Sequence, residues 1–106
     1  MTEVDRNQLR RLLLRWQDGE LRAIAVLEEA ETLLEHLGPL PKYLQSDFRS
    51  IAMEVLYDLD ILIAQRINSD DIPALLAFLD TPIGAEAQGW QDIQRYWEGI
   101  DFDRRL

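Results

Sequence analysis

The chain has no cysteine, a single lysine (Lys42), a single histidine (His36) and only three serines (Ser46, Ser50 and Ser69) in 106 residues. Without cysteine there can be no disulfide and no thiolate-bound metal. Each serine stands near an expected helix start, where capping or a first-turn position is its natural use. His36 falls in the last turn of an expected helix, where the negative end of the helix dipole favours it. Nucleophilic catalysis is therefore poorly supplied. Long apolar runs are missing as well, and Met1-Thr2-Glu3-Val4-Asp5 opens with acids instead of a basic stretch. Neither a membrane span nor a signal peptide is expected on those grounds, and a cytoplasmic location follows as the default. The few glycines sit at expected helix ends, so no glycine-rich loop can cradle a phosphate. No internal repeat, low-complexity run or alternating strand pattern is found.

What is present is the composition of an ordinary globular protein: 47% hydrophobic and 29% charged residues, enough for a single domain over 1–106. The formal net charge is -9, which argues against nucleic acid as a partner, since phosphates would be repelled. The charge is unevenly spread. Residues 1–22 are near balance, with Arg6, Arg10, Arg11, Arg15 and Arg22 against Glu3, Asp5, Asp18 and Glu20. Residues 23–66 and 67–106 each set eight acids against three bases. Acidity of this kind serves either solubility or a basic protein partner.

The periodicity is helical throughout, and the fold class expected is all-α: a compact bundle of four to five helices around a central helix at 47–67. In that stretch Phe48, Ile51/Ala52, Val55, Leu59 and Leu62 form one apolar face, and Met53, Leu56, Ile63 and Ile67 form a second beside it. A helix apolar around most of its girth must be covered on several sides. The polar strip left over is Ser50, Glu54, Asp58 and Gln65. Before it, Thr2-Glu3-Val4-Asp5 resembles a capping box, and a first helix runs to about Gln17 with Val4 or Leu9, Leu12/Leu13 and Trp16 inward. Asp18-Gly19 stops it. A second helix from Leu21 or Arg22 to Leu37 buries Ala23, Val26/Leu27, Ala30, Leu33/Leu34 and Leu37, Gly38-Pro39 closes it, and Gly38-Pro39-Leu40-Pro41-Lys42 is a loop. A short connection predicts an antiparallel hairpin, in which arginines of the first helix meet glutamates of the second. Tyr43 and Leu44 are expected over the start of the central helix, with Gln45-Ser46-Asp47 as its cap.

Asn68-Ser69-Asp70-Asp71 is a second strong start signal, opening a short helix with Ile72, Leu75/Leu76 and Leu79 inward and Pro73 tolerated in its first turn. Asp80-Thr81-Pro82 ends it. Residues 83–89 read as a loop with Gly84 and Gly89 at its ends. A final helix of about ten residues then carries Trp90, Ile93, Trp97 and Ile100, and Asp101-Phe102-Asp103-Arg104-Arg105-Leu106 is a tail expected to fray.

Carboxylates are the only groups offering catalysis or metal binding. Glu31 with Glu35, and Glu54 with Asp58, are spaced four apart on one helix face. A helical di-iron centre needs two Glu-x-x-His units, which one histidine cannot supply, and residues 68–73 lack the calcium-loop pattern. Solvated faces account better for both pairs, so no catalytic residue, metal or cofactor is assigned. The residues singled out for partner binding are Trp90, Tyr96 and Trp97 at the aromatic C-terminal end, Glu28, Glu31 and Glu35 on the second helix, and Asp60. Trp90 and Trp97 either dock the last helix onto the bundle or anchor a partner. Asp60 interrupts the second apolar stripe, either as a boundary residue reaching water or an arginine, or as a partner-facing or catalytic carboxylate.

In size, acidity and helical pattern the chain resembles the small bacterial immunity proteins that neutralise toxins, although no motif carries residues across. The function expected is thus a non-enzymatic protein-binding module that masks a basic protein partner. A self-associating homodimer of structural or regulatory use is the alternative, and a carboxylate-based enzyme or metal site the third.

Overall fold

The computed structural model describes residues 6–37 and 51–105. The expected cap at residues 2–5, the crossing at residues 38–42, Tyr43, Leu44 and the cap at residues 45–47 lie outside them, as do Phe48 and Ser50. So do the side chains of His36 and Leu37. Among the described residues there are five α-helices and no strand: α1 (Arg6–Gln17), α2 (Ala23–Leu37), α3 (Ile51–Asp60), α4 (Ile72–Leu79) and α5 (Glu86–Glu98). Short 3-10 turns stand at Ser69–Asp71 and Phe102–Arg105. The Cα radius of gyration of 13.5 Å matches the ~13 Å of a compact chain of this length. No described helix is long and apolar enough to cross a membrane.

The helical spacing read from the sequence selects the core. Leu9, Leu13, Val26, Ala30, Val55, Leu56, Leu59, Ile72, Leu75 and Leu79 are fully buried, joined by Leu12, Trp16 and Phe78. α2 lies chiefly along α3, while α4 is held between α1, α3 and α5. α3 is thus a central element, as its two apolar faces require. α1 ends as Asp18-Gly19 predicts. Gly19 takes φ 79°, and the amides of Glu20 and Gly19 close on the carbonyls of Arg15 and Trp16 at 2.9 and 3.0 Å, which is the Schellman arrangement.

Three boundaries differ from expectation. The helix expected to reach Ile67 is regular only to Asp60, and residues 61–66 continue as turns. There Arg66 donates to Ile63 O at 3.2 Å and Ile67 to Leu62 O at 2.8 Å, with Arg66 at φ 59°. That is a second Schellman stop, with arginine where glycine is usual. In consequence Ile67 is buried but Ile63 is 54% exposed, so the second stripe does not continue. Next, Gly89 is no loop end but a buried residue inside α5. A Cβ there would collide with the Thr81 side chain, so its lack of one is what lets α5 close on the end of α4. Gly84, at φ 95°, does make the turn. Finally, the C-terminal tail does not fray but folds back as the 3-10 turn Phe102–Arg105, held by side chains described below.

Three of the four α1 arginines, Arg6, Arg10 and Arg15, are engaged elsewhere than on the glutamates of α2, and Arg11 is exposed. Arg6 donates to the carbonyls of Leu79 (3.2 Å) and Thr81, and Arg10 pairs with Asp80. These groups cap the negative end of α4. Arg15 reaches Glu20 in the adjoining turn at 3.1 Å. At these three arginines the expected pairing gives way to carbonyls for Arg6 and to nearer carboxylates for Arg10 and Arg15.

Candidate partner-binding surfaces

Glu28, Glu31 and Glu35 are all exposed on α2, together with Glu29. Val26 and Ala30 face the core, with Leu27, Leu33 and Leu34 packed against it, which leaves the glutamates as a continuous outward ridge. None of the three is in an ion pair among the described residues. Asp60 is half-buried at the last position of α3, the boundary position that its place in the sequence allowed.

The aromatic residues occupy a different part of the bundle, because α5 packs mainly on α4 and α2 mainly on α3. Trp90 is half-buried and meets Phe78 edge-on, with ring centroids 5.2 Å apart. Trp97, also half-buried, lies between Tyr96 at 5.2 Å and Phe102 at 6.1 Å. All three singled-out aromatics therefore have ring neighbours or hydrogen bonds within the fold, while part of each remains open to solvent.

Tyr96 belongs to a network that the sequence did not disclose. Its hydroxyl donates to Asp71 Oδ1 at 2.5 Å. Asp71 is fully buried. Arg105 donates to both of its oxygens, at 2.7 and 3.0 Å, and the Asn68 amide donates to Oδ2 at 2.9 Å. Four donors thus fill the roughly four acceptor positions of a carboxylate, which is what a buried charge requires. Burial pushes the Asp71 pKa up, but hydrogen bonds from Arg105, Tyr96 and Asn68, with the Arg105 charge, outweigh it and hold the acid below its usual range. Burial and the neighbouring Asp71 push the Tyr96 phenol up to about 12. Arg105 also donates to Arg66 O at 3.1 Å, and Arg66 returns a bond to Phe102 O at 3.0 Å. The Arg105 guanidinium lies 5.3 Å from the Phe102 ring. Two strands of chain, at 66–71 and 102–105, are tied together through arginine. An acid in the first turn of a helix was the only local sign, since its arginine lies far along the chain.

Glu54 and Asp58 are not the solvated pair expected. Both are half-buried on α3. Burial raises the pKa of each, and Asp58 is pushed up to about 7 by burial and then by the Glu54 charge. Glu31 and Glu35, by contrast, are exposed. Among the described residues, no group of three or more His, Asp or Glu is gathered to hold a metal ion. Compared with known families, curated proteins and solved structures, the chain matches none.

Proposed function

We propose that the protein is a non-enzymatic binding module of the cytoplasm whose acidic surface, centred on the α2 ridge, masks a basic protein. One observation supports this most: Glu28, Glu31 and Glu35 stand exposed along one side of α2, while Arg6, Arg10 and Arg15 of α1 are engaged at the end of α4 and at Glu20. Exposed acids along one side of a helix steer a basic partner and fix its register.

The test compares capture from native extract by the wild type, by a Glu28→Lys/Glu31→Lys/Glu35→Lys variant and by an equally charged control altered at Asp18, Glu20 and Glu98. Lysine is as good a helix former as glutamate, so the fold should persist. The expected result is a basic protein held by the wild type and the control, released by salt and lost from the α2 variant. Equal capture by both variants would refute the ridge.

Self-association is the second reading, favoured by Tyr57 and Ile61, four residues apart and 40% and 42% exposed, with Ile63 close by. A melting temperature that rises with protein concentration would support it, and a concentration-independent melt of a ~12 kDa species would remove it.

A further inference from the structure

A groove of about 200 Å³ runs between α4 and α5. Its floor is apolar: Ala74 and Ala77 from α4, Phe78 beneath them, and Ile93 from α5. The two alanines open it by their small size, and Gly89 sets its width by letting α5 seat against Thr81. Phe78 is packed edge-on against the Trp90 ring. Asp92 stands exposed on the wall, with Oδ1 accepting from Gln88 Nε2 at 2.8 Å. Tyr96 closes the far end, its hydroxyl held by Asp71.

The volume decides what fits. Small-molecule and cofactor sites occupy roughly 300–1,000 Å³, whereas a space of about 200 Å³ suits a single apolar side chain, the kind of anchor on which protein interfaces depend. The exposed carboxylate of Asp92 at its edge, on a chain of net charge -9, decides the charge of what surrounds that anchor. We propose that the α4–α5 groove receives one apolar side chain of Leu or Phe size from a basic segment of a protein partner, with a flanking Lys or Arg meeting Asp92. The inference rests on the basic-partner reading but places the anchor away from the α2 ridge, so the two can fail separately.

Three capped peptides test it: Lys-Lys-Phe-Lys-Lys, its Phe→Ala form, and Glu-Glu-Phe-Glu-Glu, each titrated into the ¹⁵N-labelled full chain and followed by amide shifts. The Phe–Lys peptide should shift the amides of Ala77, Gly89 and Asp92 saturably and bind about tenfold or more tighter than its alanine form, as burial of an aromatic anchor implies. The acidic peptide should not saturate these positions. Ala77→Leu, which fills the groove at an exposed position, and Asp92→Lys should each weaken binding by about fivefold or more, while Glu28→Lys/Glu31→Lys/Glu35→Lys leaves it within about twofold. Melting curves of both groove variants confirm that they fold. Equal binding of the Phe and Ala peptides, or shifts confined to α2 or absent from the groove, would overturn the groove as an anchor site. A groove that binds as expected, beside extract capture unaffected by the α2 substitutions, would overturn the ridge alone.

Discussion

Asp58 on α3 and Asp71 at the head of α4 are both drawn away from water, and they meet opposite fates. Asp71, fully buried, is kept an anion by Arg105, Tyr96 and the Asn68 amide. Asp58, only partly buried, has Glu54 as its charged neighbour and a pKa lifted to about 7. Burial raises the pKa of both groups; at Asp71 the donors outweigh it, while at Asp58 burial leads and the Glu54 charge adds to it. One end of the bundle spends its acid on closing the chain, while the middle carries an acid that opposes folding once ionised.

The pH dependences have opposite signs. For Asp71 the folded pKa is depressed, so its contribution is present above the unfolded value and lost as pH falls through the folded one. For Asp58 the folded pKa is raised, so stability is fully present below the unfolded value near 3.8 and is lost as pH rises toward about 7.

The largest expected effect comes from Asp71→Ala. It leaves the Arg105 guanidinium, whose side chain is 17% exposed, without its partner, and should cost about 3–5 kcal/mol in urea unfolding at pH 7. A cost below ~1 kcal/mol would mean that the C-terminal turn is not clasped. Asp58→Asn should act the other way. The shift to about 7, discounted for partial exposure, implies a gain on the order of 2 kcal/mol at pH 8 and almost none at pH 3. An unchanged midpoint at pH 8 would break the contrast.

Smaller effects sharpen it. Tyr96→Phe removes one donor to Asp71 and should cost about 1–2 kcal/mol, with acid unfolding moved to higher pH. An unaltered acid limb would show the phenol to be dispensable. At Arg66 two small terms compete, since a non-glycine residue at φ 59° carries a strain of ~1 kcal/mol while its side chain holds Phe102 O. Arg66→Gly should therefore lie within ~0.5 kcal/mol of wild type, and Arg66→Ala, which keeps the strain but loses the bond, about 1 kcal/mol below it. Equal urea midpoints for the two would show that the left-handed turn is not strained.

Much of the framework was legible because its causes are local. Gly19 after a periodic run, Asn68 before two acids and Pro73 in a first turn mark boundaries through backbone geometry alone. The apolar spacing of α1, α2 and α4 then selected the buried side chains, and the glutamate ridge of α2 is the complement of its apolar face. What escaped was set at long range. Ile61, Leu62, Ile63 and Ile67 fit a helix in spacing, yet the chain turns at Arg66, which is bonded to Phe102 and Arg105 more than thirty residues on. Gly89 resembles a breaker until Thr81 is seen against it. Asp71 looks like a first-turn acid until Arg105 arrives, and the groove beside it needs two helices to exist.

A carboxyl ¹³C titration of Asp58 and Asp71 in the same wild-type sample measures the contrast directly. The account predicts an Asp58 midpoint near 7 and an Asp71 signal that stays ionised down to its usual range and below it. Ordinary midpoints near 4 for both groups would contradict it, and with it the assignment of one acid as the clasp of the C-terminus and the other as a burden on the central helix.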